Sequence, residues 1–315
     1  MTPKTRRQFL TQSAAVAAGT LIAQRSVFSA SPAGPSIQFP TAPRDRLSIA
    51  SYPFREYIAN PGEQVSTSPL KTDLKDFARH ISEELQIANI EPWSRHFHSL
   101  DPAYLAEFRT NAEKAGVKIV NIAVDGDRSP YSPDAAERQA AIDYAQKWVD
   151  IAVAIGSPSI RTHIASSKDS KPDVGRAAET LRKVAEYGAK KNVVINLEND
   201  DSISEDPFFV AHVIEKADTP WLHALPDFAN SLAISTDDYN YRGFGAMCSH
   251  AYNICHVKEI EDGENGKVLR VDLDKAFAIL KKNNYRGYLS MEWDSSGDPY
   301  AGTKSLIDKA LQHLS

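Results

Sequence analysis

The chain has 315 residues, 42% of them hydrophobic and 24% charged, a composition that excludes disordered and collagen-like chains. Two cysteines exclude a disulfide scaffold or a zinc finger, and no apolar run reaches the ~18–20 residues that a membrane span needs. The formal charge is −5; the first 30 residues hold Lys4, Arg6, Arg7 and Arg25 and no acid, so without those four cations it falls to −9. A body that acidic repels a phosphate backbone, and nucleic acid is not an expected partner.

At the N-terminus, Thr5-Arg6-Arg7-Gln8-Phe9-Leu10 sets an arginine pair before an apolar doublet. A weakly apolar, Ala-rich stretch follows from Ala14 to Ala23, then Ser/Ala/Pro-rich sequence from Ser26 to Pro35. The order resembles a bacterial twin-arginine export signal; a short amphipathic helix is the competing reading. The resemblance implies passage through the twin-arginine export machinery in folded form, cleavage between Ser29 and Ala33, and a periplasmic or otherwise exported protein. Residues 1–30 are therefore expected to be a signal peptide, 31–46 a Pro-rich linker, and 47–315 the folded body.

The body alternates short β-like runs with helical patterns, as in an α/β protein with a parallel sheet. Strands are predicted near Leu47–Phe54, Leu85–Glu91, Val117–Asp125 and Ser159–Ala165, then near Val193–Glu198, Leu222–Asp227, Tyr252–Glu259 and Tyr288–Asp294. Helices fill the gaps. Asp101-Pro102-Ala103 opens one that Gly116 closes, and Ser132-Pro133-Asp134 opens one that Gly156 closes. Asp173 to Lys190 and Asp272 to Asn284 carry apolar residues at helical spacing. Eight strands and eight helices in this length predict a single (β/α)8 barrel. A doubly wound sheet would show a Gly-rich loop after its first strand, and Tyr52-Pro53-Phe54-Arg55 is nothing like one.

In such a barrel, chemistry sits where strands end. Four successive strands end on metal-ligand residue types: Glu198, Asp227, His256 and Glu292, at intervals of 29, 29 and 36 residues. Period-2 alternation puts His256 in phase with Ile254 and Glu292 with Ser290, so both can face the barrel axis. Three carboxylates and one imidazole suit one hard or borderline divalent cation.

The motifs Asn196-Leu197-Glu198-Asn199, Pro226-Asp227, His256-Val257-Lys258, and Tyr285-Arg286-Gly287-Tyr288 through Met291-Glu292 resemble those of the xylose isomerase-like TIM barrels, the sugar phosphate isomerase/epimerase superfamily. The resemblance runs from about Leu47 to the C-terminus and is strongest in the last third. It implies that Glu198, Asp227, His256 and Glu292 hold one cation, Mn²⁺ first, with Mg²⁺, Co²⁺ or Zn²⁺ as alternatives. It also implies that Glu198 and Glu292 are the catalytic pair that trades a proton next to a substrate carbonyl.

His163, Arg161, Lys258, Glu91 and Trp93 fall in the same mouth and are the expected substrate-binding residues. Tyr52, Phe54, Phe97 and Trp293 are candidates with Trp93 for an apolar wall against a sugar. Asn230 stands where ketohexose 3-epimerases carry a histidine, and Lys258-Glu259-Ile260-Glu261 lacks their arginine. Both departures weigh against epimerisation of a free ketohexose. The expected activity is divalent-metal-dependent isomerisation or epimerisation of a sugar or keto-sugar. A metal-dependent lyase, dehydratase or hydratase acting on keto-sugar or keto-glycoside derivatives is the alternative, and a non-catalytic carbohydrate-binding barrel a further one. Glycoside hydrolysis fits less well, because strands four and seven end in His163 and His256 rather than in acids. Cys248 and Cys255 are expected as buried thiols, with pairing left open; oligomeric state is not legible.

Overall fold

The computed structural model describes residues 34–59, 72–168, 170–200, 204, 206–233, 236–262 and 268–314. The expected signal peptide and residues 31–33 of the expected linker lie outside them.

Eleven strands form the sheets among the described residues. β1 (Leu47–Ala50), β2 (Asn89–Glu91), β3 (Lys118–Ile119), β8 (Ile254–Val257) and β11 (Tyr288–Met291) pair in the order β3-β2-β1-β11-β8, all parallel. β4 (Ile122–Ala123), β5 (Ser159–Thr162), β6 (Val194–Glu198) and β7 (Leu222–Leu225) form a second parallel set in chain order. The two arcs close into one barrel. β3 and β4 are two pieces of the third barrel strand, which leaves β2 and joins β5 across Val120 and Asn121. On the other side β7 meets β8 through bridges Ala224↔Ala251 and Asp227↔His256, with His256 N–H donating to the Pro226 carbonyl at 3.0 Å. Pro226 has no N–H to give, which explains the sparse ladder at this seam.

Eight helices among the described residues surround the barrel: α1 (Leu74–Leu85), α2 (Pro102–Lys114), α3 (Ala135–Ile155), α4 (Val174–Lys191), α5 (Pro207–Ala217), α6 (Asp237–Cys248), α7 (Leu273–Lys282) and α8 (Pro299–Leu314). The result is the expected (β/α)8 barrel. In α1, Leu74, Phe77, Ala78, Ile81 and Leu85 recur every three or four residues and all are buried. Burial of each large side chain contributes about 1.5–3 kcal/mol, so the stripe fixes which face meets the sheet. No helix among the described residues is long and apolar enough to cross a membrane.

Three local departures from the sequence reading have simple causes. The first strand stops at Ala50, and Tyr52–Phe54 turn in a 3₁₀ helix because Pro53 cannot donate to a ladder. An antiparallel hairpin, β9 (Ile260–Asp262) with β10 (Val268–Arg270), to which the sequence reading assigned no element, follows β8. Residues 34–46, expected as linker, pack against the barrel floor. Phe39 sits edge-on to Tyr252 and Tyr288, and Tyr252 Oη accepts from Ile37 N and donates to the Pro35 carbonyl. Cys248 and Cys255 are both free and buried, and burial pushes both thiols well above their ordinary pKa.

Candidate functional site

The inward positions of the barrel strands are largely polar toward the C-terminal end, and four of them converge. Glu198 ends β6, Asp227 follows β7 by two residues, His256 lies in β8, and Glu292 follows β11 directly. One ligand atom from each lies within 4.8 Å of the others, and all four residues are buried. The local sequence explains the aim. Asn199 Oδ1 accepts from Asp227 N at 2.7 Å, and Asp227 Oδ1 accepts from the Ala229 and Asn230 amides at 2.8 Å each. That turn orients the carboxylate inward, and its buried Oδ2 has no hydrogen bond among the described residues.

His256 sits at the centre. Its Nδ1 is 2.7 Å from Glu198 Oε1, 3.2 Å from Glu292 Oε2 and 3.9 Å from Asp227 Oδ2, and its Nε2 is 2.9 Å from Glu91 Oε2. Burial alone would lower the imidazole pKa, but Glu292, Glu91 and Glu198 raise it well above its usual value. Burial also pushes Asp227 up to about 7, against the pull of Lys258 and with the repulsion of Glu292 and Glu198 added. Glu292 goes the other way: burial would raise it, yet His256 and Lys258 hold it far below the carboxylate range.

Two further cations border the cluster. Arg161 Nε is 2.6 Å from Glu198 Oε2, and its Nη1 lies 3.2 Å from Asp125 Oδ1 and 3.7 Å from Asp200 Oδ2. Lys258 Nζ reaches Asn230 Oδ1 at 2.9 Å, Glu261 Oε2 at 3.0 Å and Glu292 Oε2 at 3.3 Å. Both are buried. His163 donates from Nε2 to the Gly126 carbonyl at 2.9 Å, and its Nδ1 lies 3.5 Å from Asp200 Oδ2. Trp93, half-buried, donates from Nε1 to Asp125 Oδ2 at 2.9 Å and meets Tyr52 edge-on.

Some expected placements change. Glu91 does not face the mouth: it is fully buried behind His256, its carboxylate taken by the imidazole and by Asn121 Nδ2 at 2.7 Å. Of the expected aromatic wall, Phe54 packs on Phe77 and Tyr300, and Phe97 on Phe108 and Trp148, so both belong to the core. Trp293 packs over Gly302, where a Cβ would collide with the indole. Tyr52 and Trp93 remain. Sequence reading missed Asp125, Asp200, Asn199 and Glu261. Asp200 carried a usable signal, being two residues beyond Glu198 and hence in the same phase.

The donor set fits a divalent cation: three carboxylates and one imidazole nitrogen converge, all on buried residues, and Asp227 Oδ2 points in without a hydrogen bond among the described residues. The sequence profile of the xylose isomerase-like TIM barrel matches residues 82–315, and the chain belongs to that family. No curated protein matches it in sequence. Among solved structures it is similar to D-allulose 3-epimerase from Methylomonas sp., with TM-score 0.65 and 17% identity over 88% of this chain and 100% of that one. It is similar to a xylose isomerase-like TIM barrel protein from Mycobacterium smegmatis in complex with magnesium (TM-score 0.64, 16% identity, 85% of this chain, 96% of that one). A third is 3-keto-D-glucoside 4-epimerase from E. coli, with TM-score 0.58 and 15% identity over 81% of this chain and 98% of that one.

Proposed function

We propose that the chain is a divalent-cation-dependent isomerase or epimerase of a neutral keto-sugar or keto-glycoside. The observation that carries this reading is the buried Glu198–Asp227–His256–Glu292 cluster at the C-terminal ends of four successive barrel strands. Those four side chains would hold the cation, Mn²⁺ in the first instance, which supplies Lewis-acid stabilisation of the negative charge that develops when a proton leaves next to a carbonyl. Glu198 and Glu292 reach into the pocket from non-adjacent strands, so one carboxylate can take a proton and the other return it at a different face or carbon. Arg161 pairs with Glu198 and Lys258 with Glu292, which fixes both carboxylates in place. His163, Arg161, Lys258 and Trp93 would meet substrate hydroxyls and its apolar face.

Charge at the mouth supports an uncharged substrate. Arg55, Arg95, Arg161 and Lys258 each already face a carboxylate, from Asp294, Asp125, Glu198 and Glu292 respectively. A phosphate or sugar acid would have to displace one of them. The twin-arginine pattern of residues 5–10 supports an exported enzyme, where unphosphorylated sugars prevail. Loss of water is the second reading, favoured by the Lys258 ammonium beside Glu292, which is placed to protonate a departing hydroxyl.

The test is metal analysis of the purified protein, then incubation with keto-sugars and 3-keto-glycosides in D₂O. Exchange of an α-proton that stops with chelator and returns with Mn²⁺ is expected. A product lighter by one water selects the lyase reading, and exchange unaffected by chelator overturns cation dependence. Export is tested separately: replacing Arg6 and Arg7 by lysine should strand precursor in the cytoplasm.

A further inference from the structure

Glu91 is a fully buried carboxylate that the proposed chemistry does not use, on the side of His256 away from the other ligands. Its environment is fixed by a chain of hydrogen bonds across the barrel. Asn253 Nδ2 donates to Ser159 Oγ at 2.8 Å, and Ser159 Oγ donates to Asn121 Oδ1 at 2.5 Å. Asn196 Nδ2 also approaches Asn121 Oδ1, at 3.4 Å. The single Ser159 hydroxyl proton also has the Val120 carbonyl in reach at 3.0 Å, so it is the carboxylate of Glu91, which can only accept, that turns the Asn121 nitrogen toward itself. Asn121 Nδ2 then donates to Glu91 Oε1 at 2.7 Å, and Glu91 Oε2 lies 2.9 Å from His256 Nε2.

An ionised carboxylate only accepts, so His256 Nε2 must carry the proton of that last bond. The ring is then committed. Nδ1 is the nitrogen turned to Glu198, Glu292 and Asp227, and in the neutral ring it is the one with a lone pair. An anion on the far nitrogen also makes the near one more basic, which favours borderline cations over Mg²⁺.

We propose that Glu91 is a positioning residue for the cation: it holds His256 as the Nε2–H tautomer with Nδ1 aimed at the ligand cluster, and so sets the site's affinity and its preference for Co²⁺ or Zn²⁺ over Mg²⁺. This rests on the cation reading above. Glu91→Gln removes the anion from Nε2, and an amide that keeps its oxygen toward the Asn121 nitrogen presents its NH₂ to His256. Donor then meets donor unless the ring moves its proton to Nδ1, where it opposes coordination.

The experiment is calorimetric titration of Co²⁺ and Mg²⁺ into wild type, Glu91→Gln, and the double variant Glu91→Gln with Asn121→Asp, each checked for folding by circular dichroism. In the double variant the carboxylate introduced at position 121 accepts from the NH₂ of the amide introduced at position 91, and the oxygen of that amide returns to His256. Glu91→Gln should lose about 10–100-fold in Co²⁺ affinity, with a smaller loss for Mg²⁺, and the double variant should recover most of it. Folded Glu91→Gln with unchanged Co²⁺ affinity, or no recovery in the double variant, overturns the inference. Wild type that binds no divalent cation overturns the cation reading itself. A ¹⁵N-histidine spectrum of the Zn²⁺-loaded wild type needs no variant: Nδ1 bound and Nε2 protonated is the expected pattern, and the reverse overturns the proposal.

Discussion

Each of the two proposed proton-carrying glutamates has its own cation, and the two pairings differ. Glu198 is engaged on both oxygens, by His256 and by Arg161 at 2.6 Å, whereas the ion pairs of Glu292 all run through Oε2. Both Glu198→Gln and Glu292→Gln should lose the ~10²–10⁴-fold in turnover typical of a missing acid–base group. Cation affinity, titrated alongside, should fall least in Glu292→Gln, which leaves the Arg161 pairing intact, and most in His256→Ala and Asp227→Ala. Near-normal turnover in both Gln variants would remove the proton-transfer role. Lys258 makes a different prediction. Its ammonium lies 3.9 Å from Asp227 Oδ2 and 3.3 Å from Glu292 Oε2, where it repels any cation held by those oxygens. Lys258→Met should therefore bind Mn²⁺ more tightly, by about tenfold for each 1.4 kcal/mol of repulsion relieved, while turnover or substrate affinity falls. Weaker Mn²⁺ binding in a folded Lys258→Met would show that the lysine organises the site rather than opposing its charge.

At the scale of elements, local signals and long-range ones separate cleanly. Asp134 and Asp101 look alike in sequence, each an acid just before a helix. In the structure Asp134 Oδ1 accepts from Ala136 N at 2.9 Å, while Asp101 makes no side-chain capping bond. Asp134→Ala should cost about 1 kcal/mol, read as a lower urea midpoint, and Asp101→Ala clearly less; equal losses would contradict the assigned caps. Helix starts at Asp173 and Asp272 and the stop at Gly156 were legible because capping is a matter of three or four neighbouring residues. The four clustered residues were legible because each strand end recurs once per βα unit and period-2 phase carries across it. Glu91 was not. Its residue type and strand-end position match those of Glu198, and only the register around the barrel puts it behind His256 instead of at the mouth. Phe54 and Phe97 failed for the same reason, since a strand-end aromatic points to the mouth or the helix layer according to packing that is remote in sequence. The hairpin of β9 and β10, which delivers Glu261 to Lys258, did leave a signal that was passed over: Asp262-Gly263 and Asn265-Gly266 are dipeptides of the kind that join two antiparallel strands.

The whole molecule couples its polar axis to its stability. Near the mouth, Glu91, Glu198, Asp227 and Glu292 are buried together with Arg161, Lys258 and His256, a concentration of charge that ordinary packing would not retain. Below it, Phe39 from the N-terminal segment packs edge-on against Tyr252 and Tyr288 at the floor of the barrel. The unfolded chain scatters the four ligands and cannot bind a cation with comparable affinity, so binding must raise the folding free energy. At a hundredfold excess over Kd the gain is about 2.7 kcal/mol, and for a chain of this size that amounts to a rise in Tm of about 4–5 °C. The shift should follow total Mn²⁺ or Co²⁺, reverse with chelator, and be absent in His256→Ala and Asp227→Ala. It should survive in Glu292→Gln, because an amide oxygen still coordinates. A wild-type Tm that ignores Mn²⁺, Co²⁺, Zn²⁺ and Mg²⁺ alike would mean that the cluster is balanced by Arg161, Lys258 and a protonated His256 alone, and the cation would have to be given up.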